Sequence, residues 1–198
     1  GSWPPCYGDP SLTLGMQRTA IVVREGVRHR HLPDLVQLDV DGADRLRPGA
    51  RIELADTART QIVSLHLKSG CNTGDTRDSC PTLFAQLREL ESWLDNQSRA
   101  GQAVILAGDF NRRMERAGDQ FWRDLNDGDP SGLHIAGAGA GPRCNPRYRD
   151  FIDFFVLNDQ AHDQFGYGSF REVTFHESEG RQPSDHCPII IEYVLSSR

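Results

Sequence analysis

The sequence predicts a single domain of layered α/β architecture, and three observations predict it. A strand, a long amphipathic helix and a continuous apolar strand follow one another between residues 61 and 107, an order typical of α/β layers. The chain has 198 residues, enough for one domain of ordinary size. It is 37% hydrophobic and 25% charged, so a sizeable core can form. The domain is expected to cover 1–198, with a loop-rich start at 1–16 and a core at 17–195.

Four strands are predicted before the helix. Residues 19–23 form a β-branched run, and residues 35–40 alternate apolar and polar as a half-buried strand does. Residues 51–54 and 61–67 form two further strands on either side of a polar turn. No apolar run approaches the roughly 20 residues that a membrane helix needs, so no membrane span is expected.

The helix over residues 81–99 is the clearest element of the sequence. Its apolar stripe recurs at i, i+4, i+7 and i+11 and consists of Leu83, Leu87, Leu90 and Leu94. Pro81 suits the first turn, and Gly101 favours the end of the helix.

The segments after the helix predict a buried sheet with loops at its ends. Residues 103–107 form a continuous apolar run, typical of a strand that is buried on both faces. A short helix is predicted over 118–125 and a loop rich in Gly and Pro over 127–146. Residues 151–157 and 188–195 are predicted to be the last two strands.

Asp109 and Asn111 follow the buried strand directly. In extended geometry residues i and i+2 face the same side, and a carboxylate beside a carboxamide can bind a cation and donate to an anion. Gly108 permits close approach of another backbone at this point. The alternative is a polar turn in which Asp109 acts as a cap.

Asp153 and His186 are predicted to form a pair. Asp153 lies inside an apolar strand, where an unpaired carboxylate is costly. A carboxylate also fixes the tautomer of an imidazole and favours its charged form, which suits phosphate chemistry. His66 lies within another strand, and taken alone its position favours a hydrogen-bonded core histidine. The sequence contains no GxSxG elbow, P-loop or GxGxxG motif.

The chain has five cysteines, so at least one is left out of any intramolecular pairing. Cys71 and Cys80 flank a polar loop that a disulfide could close, and Cys6 and Cys144 are the candidates for a second pair. Two bridges imply an oxidising compartment, so a secreted or periplasmic location is expected, with a cytoplasmic one as the alternative. A zinc site is the competing interpretation, but the sequence has no CxxC.

The formal net charge is −6, from 28 acidic and 22 basic residues. This balance argues against a simple basic nucleic-acid clamp. It leaves open a metal-dependent enzyme that acts on phosphates, because carboxylates that hold a cation are part of such a site.

Four segments resemble, in order, the motifs of the endonuclease/exonuclease/phosphatase family. They are VSLHLKSGC at 63–71, GDFNR at 108–112, FIDFFVL at 151–157 and SDHCPI at 184–189. The resemblance implies a four-layer αββα sandwich of the deoxyribonuclease-like type, with two packed, mostly antiparallel sheets flanked by helices. It also implies a metal-dependent phosphodiester hydrolase, foremost a nuclease that cleaves DNA or RNA by in-line water attack. The implied cation is Mg²⁺, with Mn²⁺ or Ca²⁺ as alternatives.

The resemblance also assigns roles at the first two motifs. His66 matches a histidine that contacts the scissile phosphate or helps to protonate the leaving group. Asp109 matches an aspartate that orients or deprotonates the attacking water, or binds a metal. Asn111 matches an asparagine that donates to a phosphate oxygen, and we expect Arg112 beside it to bind substrate as well.

At the last two motifs, Asp153 matches the aspartate that pairs with the final histidine. His186 matches that histidine, which stabilises the pentacovalent phosphate, and Asp185 matches an acidic residue of the metal site. Family members usually begin with two further strands, which carry an asparagine and a metal-binding glutamate, and nothing before Gln17 matches them. We therefore expect an N-terminally truncated domain. A non-catalytic relative that binds phosphate or nucleic acid, and a phosphatase or lipid phosphodiesterase, stay as alternatives.

Overall fold

The computed structural model describes residues 18–42, 46–55, 59–145, 147–164, 169–175 and 184–193. The elements in these ranges are β1 (His29–Leu35), β2 (Gly49–Leu54), β3 (Gln61–His66), α1 (Ser79–Arg99), β4 (Val104–Asp109), α2 (Gln120–Leu125), β5 (Leu133–Ile135), β6 (Asp153–Asn158), α3 (Asp159–His162), β7 (Arg171–Glu172) and β8 (Ile189–Ile190). A 3-10 turn at Val36–Leu38 follows β1. None of the described helices is both long and apolar enough to cross a membrane.

Six strands form one mixed sheet in the order β1-β2-β3-β4-β6-β5. β3 and β4 are parallel, because α1 connects them as a crossover, and the other neighbours are antiparallel. The register places His66 beside Asp109 and Asp109 beside Asp153. Three residues that are far apart in sequence therefore form one row across the sheet.

The leucine stripe of α1 covers one face of this sheet. Leu83, Leu87, Leu90 and Leu94 are all buried against Leu106 and its neighbours in the larger hydrophobic cluster. Complete burial of a leucine side chain stabilises the fold by about 1.5–3 kcal/mol, so this contact holds the helix on the sheet.

The opposite face of the sheet carries a second, smaller cluster. β4 contributes Leu106 to the first cluster and Ile105 to the second, since alternate residues of a strand face opposite sides. Ile191 and Tyr193, which follow the two-stranded β7–β8 sheet, pack against this second cluster. The predicted burial of the 103–107 strand on both faces is confirmed.

Gly108 brings β4 and β3 together at the end of the sheet. Its φ is +138°, and a Cβ at this position would lie 2.1 Å from the carbonyl oxygen of Leu65. The close backbone approach predicted here is confirmed.

The α/β class and the main elements are confirmed, including the 81–99 helix as α1 and the 151–157 strand as β6. The strands predicted over 19–23 and 35–40 are wrong, because residues 18–24 form no strand and only Leu35 of the second segment belongs to β1. β1 was missed because its sequence HRHLPDL has no clear apolar period. β5 lies within the predicted 127–146 loop and is only three residues long. The predicted loop at 1–16 lies outside the described residues.

The described residues contain two disulfides, one as predicted and one with a different partner. Cys71 is bonded to Cys80, as expected, whereas Cys144 is bonded to Cys187 and not to Cys6. The loops before β6 and β8 meet at the sheet end, which joins two cysteines 43 positions apart. Cys6 lies outside the described residues.

Candidate active site

Four predicted residues converge at the end of strands β3, β4 and β6. The row of His66, Asp109 and Asp153 is set by the register of the sheet, and the loop before β8 adds His186. His66 Nε2 lies 3.6 Å from Asp109 Oδ2. His186 Nδ1 lies 2.7 Å from Asp153 Oδ2, so the predicted pairing of these two residues is present.

Asn111 reaches the site in a different way from the one predicted. Its φ is +52°, a left-handed conformation that asparagine tolerates better than most residues. Its backbone N–H donates to Asp109 Oδ1 at 2.7 Å, and its Nδ2 donates to the Leu67 carbonyl at 3.0 Å. The expectation of two parallel side chains in extended geometry is therefore wrong, and a tight turn brings Asn111 against the end of β3.

The surroundings of the two histidines shift their pKa values in opposite directions. Burial lowers the pKa of His66 and outweighs the opposing effect of Asp109, so its neutral form is favoured. Burial also opposes the charged form of His186, but the Asp153 carboxylate outweighs it, with help from Asp109 and Asp185, and raises the pKa of His186. Burial and the neighbouring Asp153 raise the pKa of Asp109.

The donor chemistry fits a hard divalent cation. Asp109, Asp153 and His186 offer ligand atoms that all lie within 4.8 Å of one another. Asp153 favours the charged form of His186, which has no lone pair free for a metal, so the two carboxylates are the candidate ligands. Mg²⁺ is commonly bound by one or two carboxylates together with waters and substrate phosphates. A cation here would also offset the repulsion between Asp109 and Asp153.

Asp185 does not belong to this group of ligand atoms among the described residues. It is exposed, and its Oδ2 lies 3.5 Å from the Tyr148 hydroxyl. A second group, which consists of Cys144, Glu172 and Cys187, also meets the spacing for a metal. Its two sulfur atoms are bonded to each other, so no thiolate is available there for zinc.

Arg112 lies in the protein interior, contrary to the expectation that it binds substrate. Its side chain is 3% exposed, and its Nε donates to Asp119 Oδ2 at 2.7 Å. Nη1 donates to the Cys71 carbonyl at 3.1 Å, and the guanidinium lies 5.7 Å from the Phe84 ring centroid. Arg112 thus holds the loop of the first disulfide against α1 and α2.

A cleft of about 240 Å³ lies at this end of the sheet, and its lining includes Asn111, Asp153, Asp185 and His186. Other lining residues were not predicted, among them Asn72, Tyr148, Asp150 and Glu172. Arg113, which directly follows the GDFNR motif, also lines the cleft; from the sequence it is one of several arginines that could contact a nucleic-acid backbone, with a solvated surface as the alternative. Tyr148 lies in a loop without periodicity and has no signal in the sequence, yet its ring is an exposed aromatic surface in the cleft, with 42% of the residue accessible.

The second disulfide adjoins this cleft. Cys144 and Cys187 both line it, and Cys187 directly follows His186. The loop of Cys144 is held further by Glu172, which accepts the backbone N–H groups of Arg143 and Cys144 at 2.6 and 3.2 Å. The position of the His186 loop therefore depends on a covalent link to the loop before β6.

No protein-family model and no curated protein sequence matches the chain. Among the solved structures that resemble it are two enzymes. An AP endonuclease from Archaeoglobus fulgidus superposes with a TM-score of 0.55 at 11% identity, over 83% of this chain and 72% of that one. A 3′-5′ exonuclease from Neisseria meningitidis superposes with a TM-score of 0.52 at 15% identity, over 77% of this chain and 67% of that one. At these identities the likeness shows the fold alone, and it confirms the predicted deoxyribonuclease-like fold.

Proposed function

We propose that this protein is a divalent-metal-dependent phosphodiester hydrolase of the endonuclease/exonuclease/phosphatase family, and that it acts on nucleic acid. The observation that carries the proposal is the convergence of His66, Asp109, Asp153 and His186 at one end of the sheet. The fold, which is shared with an AP endonuclease and a 3′-5′ exonuclease, supports it.

The proposed roles follow from charge and proton state. His186, whose charged form is favoured by its contact with Asp153, stabilises the negative charge that develops on the phosphate. His66, which is neutral, is suited to proton transfer at the leaving oxygen. Asp109, which lies beside His66 at the end of β4, orients the attacking water and accepts its proton.

Asn111 completes the set as a donor to a phosphate oxygen. Its amide carries two N–H groups, and the contact with Leu67 accounts for one of them. A divalent ion held by Asp109 and Asp153 would neutralise charge on the phosphate oxygens. Since both disulfides require oxidising conditions, we place the protein in a secreted or periplasmic setting.

A nuclease assay on plasmid DNA with Mg²⁺, with and without EDTA, tests this function, and the chain offers a matched pair of histidine variants. His186 and His134 each bind an aspartate oxygen at 2.7 Å, and their side chains are 35% and 37% exposed. Only His186 lines the active-site cleft. We expect His186→Ala to lower kcat by about 100-fold or more, as loss of a proton-transfer or charge-stabilising group does. His134→Ala should stay close to wild type. Cleavage that persists in EDTA, or equal effects of the two variants, would contradict the proposal.

A non-catalytic phosphate-binding module is the second candidate, and one observation favours it. Among the described residues, no glutamate joins the group of ligand atoms formed by Asp109, Asp153 and His186. This candidate predicts that the folded protein binds oligonucleotide but does not cleave it in the presence of Mg²⁺. Small phosphomonoesters and lipid phosphodiesters, offered in the same buffer, would identify a phosphatase or a lipid phosphodiesterase.

A further inference from the structure

The charged side chains that line the active-site cleft are mainly acidic, and acidic side chains repel an anionic substrate. Its charged lining includes four carboxylates, those of Asp150, Asp153, Glu172 and Asp185. Arg113 is the one arginine or lysine side chain that lines the cleft within the described ranges. Because a polyanion is repelled by a cleft of its own sign, a positive group at this wall has a large effect on binding.

We propose that Arg113 binds a phosphate of the nucleic-acid substrate and so contributes to affinity more than to the chemical step. The proposal rests on the proposed function, since it identifies a substrate contact of that same site. Two observations support it. Arg113 lines the active-site cleft, and the Asp150 carboxylate that it contacts is shared with Arg116.

Arg113 is held at the cleft wall from two sides. Its Nη1 donates to Asn72 Oδ1, and its Nε lies 3.7 Å from Asp150 Oδ2. Nη2 carries two further N–H donors in the planar fork that suits phosphate. The side chain is 27% exposed, so it is ordered by its neighbours and still open to a ligand. A group held in place before binding loses less conformational entropy when the ligand arrives.

The charge of Arg113 is only partly offset by Asp150. The same Oδ2 of Asp150 accepts Arg116 Nη2 at 2.6 Å and Arg116 Nε at 3.0 Å. Two guanidinium groups therefore share one carboxylate, and the longer, weaker contact belongs to Arg113. Together Arg113, Arg116 and Asp150 keep a net charge of +1. Of the two arginines, Arg113 is the one that lines the active-site cleft, as Asp150 does.

Arg116 provides a matched control for Arg113. Both arginines contact Asp150, but Arg116 lines a separate cleft beside Trp122 and His134 and not the active-site cleft. Its side chain is 43% exposed. If the role of Arg113 were only to tie loops to Asp150, removal of Arg116, which makes the shorter contacts, would have the larger effect.

The test is fluorescence anisotropy with dye-labelled single- and double-stranded DNA oligonucleotides, in EDTA and over a range of salt concentrations. We expect Arg113→Gln to weaken binding by about 10- to 100-fold, the loss typical of a hydrogen bond to a charged group. The slope of log K against log salt should fall in magnitude by about 0.7–0.9, the value for one phosphate contact. Arg113→Lys should keep the slope and recover part of the affinity. Arg116→Gln should weaken binding less than Arg113→Gln and keep the salt slope, because it leaves Asp150 to Arg113 alone but removes no phosphate contact.

Steady-state kinetics with Mg²⁺ on the same oligonucleotides separate this inference from the proposed function. A higher KM with nearly constant kcat in Arg113→Gln supports the inference. If wild type cleaves DNA and Arg113→Gln has the same KM, affinity and salt slope, the inference is overturned and the hydrolase proposal stays intact. Binding by wild type that depends on Arg113, without any cleavage, overturns the hydrolase proposal and leaves the phosphate contact intact. Wild type that binds no DNA even at low salt overturns the inference, and thermal melts confirm that each variant is folded.

Discussion

Replacement of Arg112 by methionine should destabilise the fold strongly, although the residue adjoins a motif of the active site. Methionine keeps an unbranched side chain and removes the charge. The side chains of Arg112 and Asp119 are 3% and 0% exposed, and Nε and Oδ2 lie 2.7 Å apart. The substitution therefore leaves a buried carboxylate without its cation.

The magnitude follows from the contacts that are lost and those that stay. Removal of one partner of a buried ion pair costs about 3–5 kcal/mol. Asp119 keeps two donors, the Thr73 hydroxyl at 2.8 Å and the Trp122 backbone N–H at 3.0 Å. The Cys71 carbonyl loses its contact with Nη1. We therefore expect a loss of about 3 kcal/mol, a large share of the 5–15 kcal/mol that typically stabilises a domain.

Equilibrium unfolding in urea, followed by far-UV circular dichroism, measures this loss. With an m-value of about 2 kcal/mol/M, the midpoint should fall by about 1.5 M. Arg123→Met on the exposed face of α2 is the control, with an expected change within about 0.5 kcal/mol. A double variant with Arg112→Met and Asp119→Asn should recover part of the loss, because no buried charge remains. A loss below about 1 kcal/mol in the single variant would refute the buried ion pair and the role assigned to Arg112.

Three further predictions concern residues of the six-stranded sheet. Gly108→Ala should cost about 2–5 kcal/mol in urea unfolding, because it combines a positive φ with a Cβ placed 2.1 Å from the Leu65 carbonyl oxygen. Asp109→Asn should abolish hydrolysis yet raise the Tm in EDTA at neutral pH, since burial and Asp153 disfavour its carboxylate in the folded state. Because its folded pKa is raised, this gain should vanish as pH falls below the unfolded pKa of aspartate, where the carboxyl is protonated in both states. Asn158→Ala should lower the free energy of unfolding by about 2–4 kcal/mol, because this buried side chain caps α3 and makes four hydrogen bonds to other residues. A smaller loss in urea unfolding would contradict this structural role.

The row of polar residues shows how far periodicity predicts a site. His66, Asp109 and Asp153 each stand at or near the end of a strand whose apolar pattern is readable, so their strands and approximate depth were predictable. Their contact was not, because it depends on the register between β3, β4 and β6. Register is a relation between segments that are 40 or more positions apart, and no local pattern encodes it alone.

Arg112 and Arg113 are neighbours in the sequence, and here too a local pattern does not predict what each side chain contacts. The sequence marks both as basic residues after the GDFN motif. The left-handed turn at Asn111, with a φ of +52°, breaks the alternation that an extended chain would follow. One arginine then enters the interior beside Asp119, and the other faces the cleft.

The sequence by itself determined the α/β class, the α1 helix, the strands β3, β4 and β6, and the identity of the residues at their ends. Hydrophobic period, helix stop signals and the cost of a lone buried charge are all local properties, so a single chain reveals them. Only the tertiary structure decided the edge strand β1, the partner of Cys144 and the arginine that faces the cleft. Each of these depends on which distant segments come into contact, and that choice is made by the packing of the whole sheet and its loops.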